Sequence, residues 1–289
     1  MISPEPGSTK KNPLLKVIAV VGPTASGKTA RAIALAKELD GEVISVDSRQ
    51  IYQMLDIGTE KITKEEMDGI PHHLINIRDP RETYSAGDFV QDADKLITEL
   101  SARGKLPILA GGTHFYFDAL IYGLPAEIPK NEDLRRELET VSDEELMNRV
   151  RDADPRRAVR LDPKNRRRLI RALEIIAENG SVPERDTLLP RYEVGWVVLN
   201  PERDELRARL RKRLMESLEK GLIDEVERVR AYVGDERLQE LGLEYKIIGE
   251  YLRGERSFDS LLPTLSSRLW HYARHQKAWL RKLSLENLT

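Results

Sequence analysis

The chain contains no cysteine. That absence excludes disulfide staples, thiolate nucleophiles and Cys-ligated zinc, and it fits a reducing cytosol. No apolar run approaches a membrane span, and the N-terminal MISPEPGSTKKN lacks the apolar core of a signal peptide. The expectation is a cytoplasmic, non-membrane protein with a loose N-terminal tail. Internal repeats and low-complexity segments are absent too. Net charge is also lacking: 47 basic and 49 acidic residues leave −2, so bulk electrostatics do not announce a nucleic-acid partner. The near-zero total hides a segregation. Between Arg156 and Arg171 there are eight basic residues and one acid, and between Ser260 and Leu285 no acid at all. Acids gather at Glu132–Asp154 and Glu216–Glu227, so the chain carries separate basic surfaces.

What is present suffices for a full core: 289 residues, 40% of them apolar, predict one or two globular domains. The stretch that organises them is Lys16–Arg31, KVIAVVGPTASGKTAR. A β-rich run (Val17, Ile18, Val20, Val21) leads into Gly22-Pro23-Thr24-Ala25-Ser26-Gly27-Lys28-Thr29 and then into helix-compatible sequence. This is the phosphate loop of ATP- and other nucleotide-binding proteins. Its glycines take backbone angles that other residues avoid, and the amides that follow point at an anion at a helix start. Lys28 places its ammonium on the outer phosphates, and the Thr29 hydroxyl reaches a Mg²⁺ bridging them.

A helix (Thr29–Leu39) stops at Gly41, and Glu42–Val46 reads as a second strand ending in Asp47-Ser48-Arg49-Gln50. Ligands in open α/β sheets sit beyond the carboxyl ends of strands, so Asp47 is expected at the mouth of the phosphate-loop site; the alternative is an Asp that caps the next turn. Gly58–Lys61 and Pro71–Leu74 read as loops. His72 and His73 are adjacent, point opposite ways on an extended segment, and have no nearby Cys or third His to complete a metal shell. A helix follows Tyr84-Ser85-Ala86-Gly87-Asp88, with Phe89, Leu96, Ile97 and Leu100 on one face. Leu106–Ala110 is a third buried strand, ending in Gly111-Gly112-Thr113-His114. Two glycines and a hydroxyl stand where a P-loop hydrolase usually carries an acid, which suits admitting a substrate more than hydrolysing a nucleotide.

Beyond residue 122 the strand–helix alternation stops. Residues 123–190 read as a mostly helical insertion between core segments 1–122 and 191–289, the whole being an α/β, P-loop NTPase-like parallel sheet fold. The basic cluster RRAVRLDPKNRRRLIR lies in the insertion and is dense for a merely solvated face, which favours nucleic-acid contact. Glu193–Leu199 reads as a buried core strand. Long helices follow, in which Trp270, Tyr272 and Trp279 read as core anchors more than base-stacking platforms.

Taken in order, GPTASGKT, DSRQIY, GTEK, HHL, YSAGDF, AGGTHFY, DPRRAVRLDPKNRRRLIRALE and ARHQKAWLRK resemble the tRNA dimethylallyltransferase (tRNA isopentenyltransferase) family over nearly the whole chain. The resemblance implies transfer of a dimethylallyl group from dimethylallyl diphosphate to the exocyclic amine of the adenosine just 3′ of the anticodon in tRNA. It implies that Asp47 is the base, that Lys28 and Mg²⁺ on Thr29 stabilise the leaving diphosphate, and that Thr113 holds the target base or the diphosphate. It further implies that Asp47, Ser48, Arg49, Gln50 and Thr113, with Arg135, Arg167, Arg168, Leu169, Ile170 and Arg171, contact the anticodon stem-loop. Leu241-Gly242-Leu243-Glu244-Tyr245-Lys246 and Leu269-Trp270-His271 depart from the family pattern, leaving Lys246, Arg274 and Arg281 as candidate C-terminal cations for the diphosphate. Two other enzymes share the phosphate loop. An adenylate isopentenyltransferase would act on free AMP, ADP or ATP, and a small-metabolite kinase would consume ATP. Nothing in the sequence demands more than a monomer.

Overall fold

The computed structural model describes residues 13–124, 128–129, 131–183 and 189–286; the expected N-terminal tail lies outside them. The chain divides into two compact units, Met1–Ile121 with Arg191–Thr289, and Tyr122–Pro190.

The first unit is built on five parallel strands in the order β3-β2-β4-β1-β5: β1 Lys16–Val21, β2 Gly41–Ser45, β3 His72–His73, β4 Leu106–Gly111 and β5 Glu193–Val198. The inner strands are near-continuous apolar runs because helices cover the sheet: α1 (Lys28–Glu38) packs on β4 and β2, and α2 (Ala86–Ala102) on β4. The YSAGDF wording explains the start of α2. Ser85 Oγ accepts the Asp88 amide at 3.2 Å while the Asp88 carboxylate accepts the Ser85 amide at 2.7 Å, a reciprocal cap.

Two strands differ from the sequence-based expectation. β5 is one edge of the sheet, paired only with β1, and its residues are half-buried or exposed, with Val198 40% exposed. Periodicity shows which residues share a face, but sheet order decides how deeply they are buried. His72 and His73, read as loop, form the two-residue edge strand β3 against Val43 and Ile44. His72 Nδ1 lies 2.8 Å from the Ile70 carbonyl and His73 Nε2 2.7 Å from the Glu42 carboxylate.

The carboxyl ends of β1, β4 and β2 are neighbours, and there the loops after Val21, Ser45 and Gly111 meet. The approach is close: a Cβ on Gly111 would stand 2.0 Å from the Val46 carbonyl oxygen, so only glycine fits. Helices α8 (Arg203–Glu219), α9 (Leu222–Leu238), α10 (Leu243–Leu252) and α11 (Leu261–Glu286) complete this unit. Leu214, Val226, Tyr245, Ile248 and Leu265 close over Ile51, Tyr52 and Leu55 in the segment after β2. The sequence of α9 runs through Gly234, whose φ of 80° breaks the helix there.

Between these halves of the first unit, the chain forms α3 (His114–Tyr122) and then the second unit, with α4 (Glu132–Glu139), α5 (Asp143–Ala153), α6 (Pro155–Ala158) and α7 (Arg166–Asn179). Asn131, Ser142, Asp154 and Asn165 cap the four helices with side-chain oxygens. Leu138, Leu146, Val150, Leu161, Leu169 and Leu173 are among its core residues.

Candidate active site

The phosphate loop is preformed. Ala25 and Gly27 both take positive φ, 63° and 86°, and turn the chain so that α1 begins at Lys28. Lys28 Nζ folds back on the Pro23 carbonyl at 2.8 Å, and the Ser26 amide closes on the same oxygen at 3.2 Å. Ser26 Oγ is buried with no hydrogen-bond partner among the described residues. The loop lines a cavity of about 500 Å³ together with Asp47, Gln50, Thr59, Glu60, Gly112, Arg209, Lys212, Arg213, Tyr272 and Gln276.

Asp47 combines both roles expected for it. Its Oδ1 accepts the amides of Arg49 at 2.8 Å and Gln50 at 3.3 Å, capping the turn, while the residue faces the cavity. Oδ2 accepts no hydrogen bond from the described residues, which leaves it open to a ligand. Thr113 stands just behind: its amide donates to the Val46 carbonyl at 3.2 Å and its hydroxyl accepts the Ser48 amide at 3.0 Å. Gln50 faces the cavity but its carboxamide is committed, donating to the carbonyls of Thr59 and Glu60 at 3.1 and 3.2 Å. The structure thus gives Gln50 a loop-holding role.

The cavity's additional cations come from α8. Lys246, Arg274 and Arg281 are exposed and do not line it. Arg213 donates to Thr24 Oγ1 at 2.5 Å and pairs with Glu60. Burial lowers its pKa to about 10. The loop leading to Glu60 is held by a buried carboxylate: Glu225 accepts the amides of Asp56, Ile57 and Gly58 at 3.0, 2.7 and 2.9 Å and the Tyr245 hydroxyl at 2.7 Å. Lys61 ties the same loop to Tyr52 O and Asn76 Oδ1, both at 2.6 Å. The GTEK wording is thus a scaffold that places Glu60 against Arg213. Tyr272, expected as a core anchor, is 46% exposed and lines the cavity. Trp279 does pack inside, stacked on His114 with ring centres 4.2 Å apart and donating to Asp118.

Lys28 is also affected by this enclosure. Burial, reinforced by the Arg213 charge and opposed by Asp47, lowers its pKa from an ordinary 10.5 to about 8. Below about pH 8 the ammonium is charged and attracts an anion; above it the free protein loses that proton. Inorganic diphosphate is therefore expected to bind wild type with more proton uptake than it binds a Lys28→Met variant at pH 8.5–9, read by calorimetry in buffers of different ionisation heats, the difference cancelling the diphosphate's own titration. The Lys28→Met variant also binds it more weakly.

The second unit corrects several sequence-based expectations. Leu169 and Ile170 are 0% and 3% exposed and belong to its core, so their side chains do not reach RNA. Arg135 forks onto the buried Glu174 carboxylate at 2.6 and 2.8 Å, and Arg171 reaches the same carboxylate at 3.2 Å and the Ile128 carbonyl at 2.7 Å. These two arginines share one buried acid, which ties both side chains to the unit's interior. Arg166 is likewise paired, with Glu139 and Asp143. Arg167 and Arg168 are exposed on the first turn of α7.

The sequence profile described as "IPP transferase" matches residues 50–283. A tRNA dimethylallyltransferase of Halalkalibacterium halodurans is 42% identical over 92% of this chain and 88% of its own length. One of Thermomicrobium roseum is also 42% identical, over 92% and 84%. Among solved structures, the full-length tRNA isopentenylpyrophosphate transferase of Bacillus halodurans superposes with a TM-score of 0.69 at 42% identity, covering 92% of this chain and 87% of that one. A eukaryotic dimethylallyltransferase caught acting on tRNA superposes with a TM-score of 0.81 at 29% identity, over 92% and 69%.

Proposed function

This chain belongs to the IPP transferase family and is a prenyl-transferring enzyme of tRNA modification, and from that premise we propose how its residues divide the work. The donor is dimethylallyl diphosphate and the acceptor is the exocyclic amine of the adenosine 3′-adjacent to the anticodon. The observation that carries this reading is the cavity itself: a preformed anion loop and an aspartate with one open carboxylate oxygen line one space of about 500 Å³.

The amides of Gly27 to Thr29, the Lys28 ammonium and the Arg213 guanidinium take the diphosphate. As the bond between the allylic carbon and the diphosphate oxygen breaks, its electron pair leaves with the diphosphate, and the growing negative charge meets cations already in place. The adenine amine forms the new carbon–nitrogen bond and its proton passes to Asp47 Oδ2. Thr113 and Ser48 hold the turn that aims Asp47. The adenosine leaves its stack to reach this site, a cost of a few kcal/mol that a hairpin loop reduces. The Thr29 hydroxyl and the unpartnered Ser26 Oγ are sparse, hard oxygen donors. They suit a Mg²⁺ that keeps most of its shell as water and substrate phosphate. When bound, that ion adds charge neutralisation on the diphosphate. No helix among the described residues is long and apolar enough to cross a membrane. The reading is of a cytoplasmic enzyme acting as a monomer. The relatives do not favour a kinase.

An anticodon stem-loop tests this reading directly. Replacing its 3′-adjacent adenosine by guanosine is expected to abolish transfer, while adenosines elsewhere in the loop stay unmodified. Transfer that survives the replacement contradicts it. RNA contact through α7 has a separate signature. Replacing Arg167 and Arg168 by alanine is expected to weaken stem-loop binding and to flatten its log–log salt dependence by about one unit per lost phosphate contact. Arg135→Ala removes two of the hydrogen bonds on the buried Glu174, leaving it to Arg171 and the Asn131 amide, and lowers the melting temperature instead. An unchanged salt slope in the Arg167/Arg168 variant means that this turn faces away from the RNA.

A further inference from the structure

One buried side chain joins the two halves of the cavity. Gln276 on α11 is 3% exposed. Its Oε1 accepts the Thr24 amide at 2.8 Å and its Nε2 donates to the Gly112 carbonyl at 2.9 Å. The orientation is forced, because an N–H meets only the amide oxygen and a carbonyl only the amide nitrogen. On one side stands the phosphate loop, with Thr24 also held by Arg213. On the other stands the turn after β4, where Gly112 is followed by Thr113, which grips Val46 and Ser48 on either side of Asp47.

The sheet does not make this connection. β1 and β4 are paired in register only as far as Val21 and Gly111, and both loops lie beyond that last rung. The fit also accounts for the second glycine of the pair: a Cβ on Gly112 would stand 2.7 Å from Gln276 Nε2. The Thr24 amide, engaged by the glutamine, is not among those that meet the diphosphate.

We propose that Gln276 is a positioning residue that sets the spacing between the loop holding the donor diphosphate and the turn aiming Asp47 at the acceptor amine. The proposal rests on the prenyl-transfer reading. Gln276 touches neither reacting atom in that scheme. Its loss leaves each substrate bound but out of line, and a misplacement of about 1 Å costs roughly 10²-fold in rate.

Two variants test it. Gln276→Met keeps the length and bulk and loses both hydrogen bonds. The expected result is kcat for prenyl transfer lowered about 30- to 100-fold, with KM for donor and stem-loop within about threefold of wild type. Gln276→Glu keeps the shape, but when ionised it turns an oxygen toward the Gly112 carbonyl. When protonated its O–H restores that bond. Desolvation and the absent donor raise such a carboxyl's pKa, so its rate relative to wild type is expected to climb as pH falls from 8 to 6. Tyr272, one turn away on α11 and hydrogen-bonded to Gln276, shares the cavity with Lys28 and Arg213, so the same ratio for Gln276→Met, which adds no carboxyl, is the control and is expected to stay flat. A donor KM that rises while kcat holds, a flat pH ratio for Gln276→Glu, or losses that track only the unfolded fraction would each overturn the proposal. If wild type transfers no prenyl group, the reaction reading fails on that result alone. Hydrogen exchange at the Thr24 amide still reports the link. Slow exchange in wild type and fast exchange in Gln276→Met support it, and equal exchange in both removes it.

Discussion

Asp47→Asn is expected to lower prenyl-transfer turnover by about 10²- to 10⁴-fold, the usual contribution of a positioned general base, while stem-loop affinity changes by less than about threefold. Asparagine is the informative replacement because of what Asp47 already does. Its Oδ1 caps the following turn through Arg49 and Gln50, and the asparagine carbonyl accepts the same two amides. The fold of the turn is retained and only the proton-accepting oxygen is lost. Alanine removes the cap as well, so its effect mixes catalysis with a turn contribution of about 1 kcal/mol. Parallel steady-state kinetics and stem-loop binding on the asparagine variant separate these. An equal loss in turnover and affinity would show that Asp47 holds RNA and does not accept the proton.

Arg213→Met is expected to lower kcat/KM for the donor by about 10²- to 10³-fold, the scale of removing one preorganised group aimed at developing charge. Arg213 and Glu60 keep 23% and 32% of their side-chain surface accessible, so water shares the pair and its loss costs only about 1–2 kcal/mol of stability. A second substitution, Glu60→Gln, relieves the stranded carboxylate and returns part of that stability without returning activity. Thermal unfolding and donor kinetics on the single and double variants test both statements. Full activity in Arg213→Met would leave the diphosphate to Lys28 and the loop amides alone.

What could be read in the sequence was local. The phosphate loop is legible because glycine spacing, Lys28 and Thr29 act through backbone geometry within eight residues. Asp47 is legible because a strand end in an open α/β sheet points at the site. Arg213, Glu225 and Gln276 were not legible. Their partners Thr24, Gly58 and Gly112 lie 189, 167 and 164 residues away, and no periodicity records such a contact. The terminal motif ARHQKAWLRK is conspicuous for its cations, whereas its buried amide, Gln276, is the residue that meets the site. The basic cluster of the second unit shows the converse error. Counting eight positive charges does not reveal that Glu174, inside an apolar helical stripe, draws in Arg171 and the distant Arg135. Nor does it reveal that Leu169 and Ile170, between basic neighbours, turn inward at helical spacing.

Prenyl transfer from labelled dimethylallyl diphosphate, with Mg²⁺ present, measures the central claim most directly when an anticodon stem-loop and AMP are offered in separate tubes. Label on the stem-loop alone is the predicted result. Label on AMP alone would make the exposed arginines of α7 a solvated face and the acceptor a free nucleotide, and label on neither would contradict the assignment of the cavity to prenyl transfer.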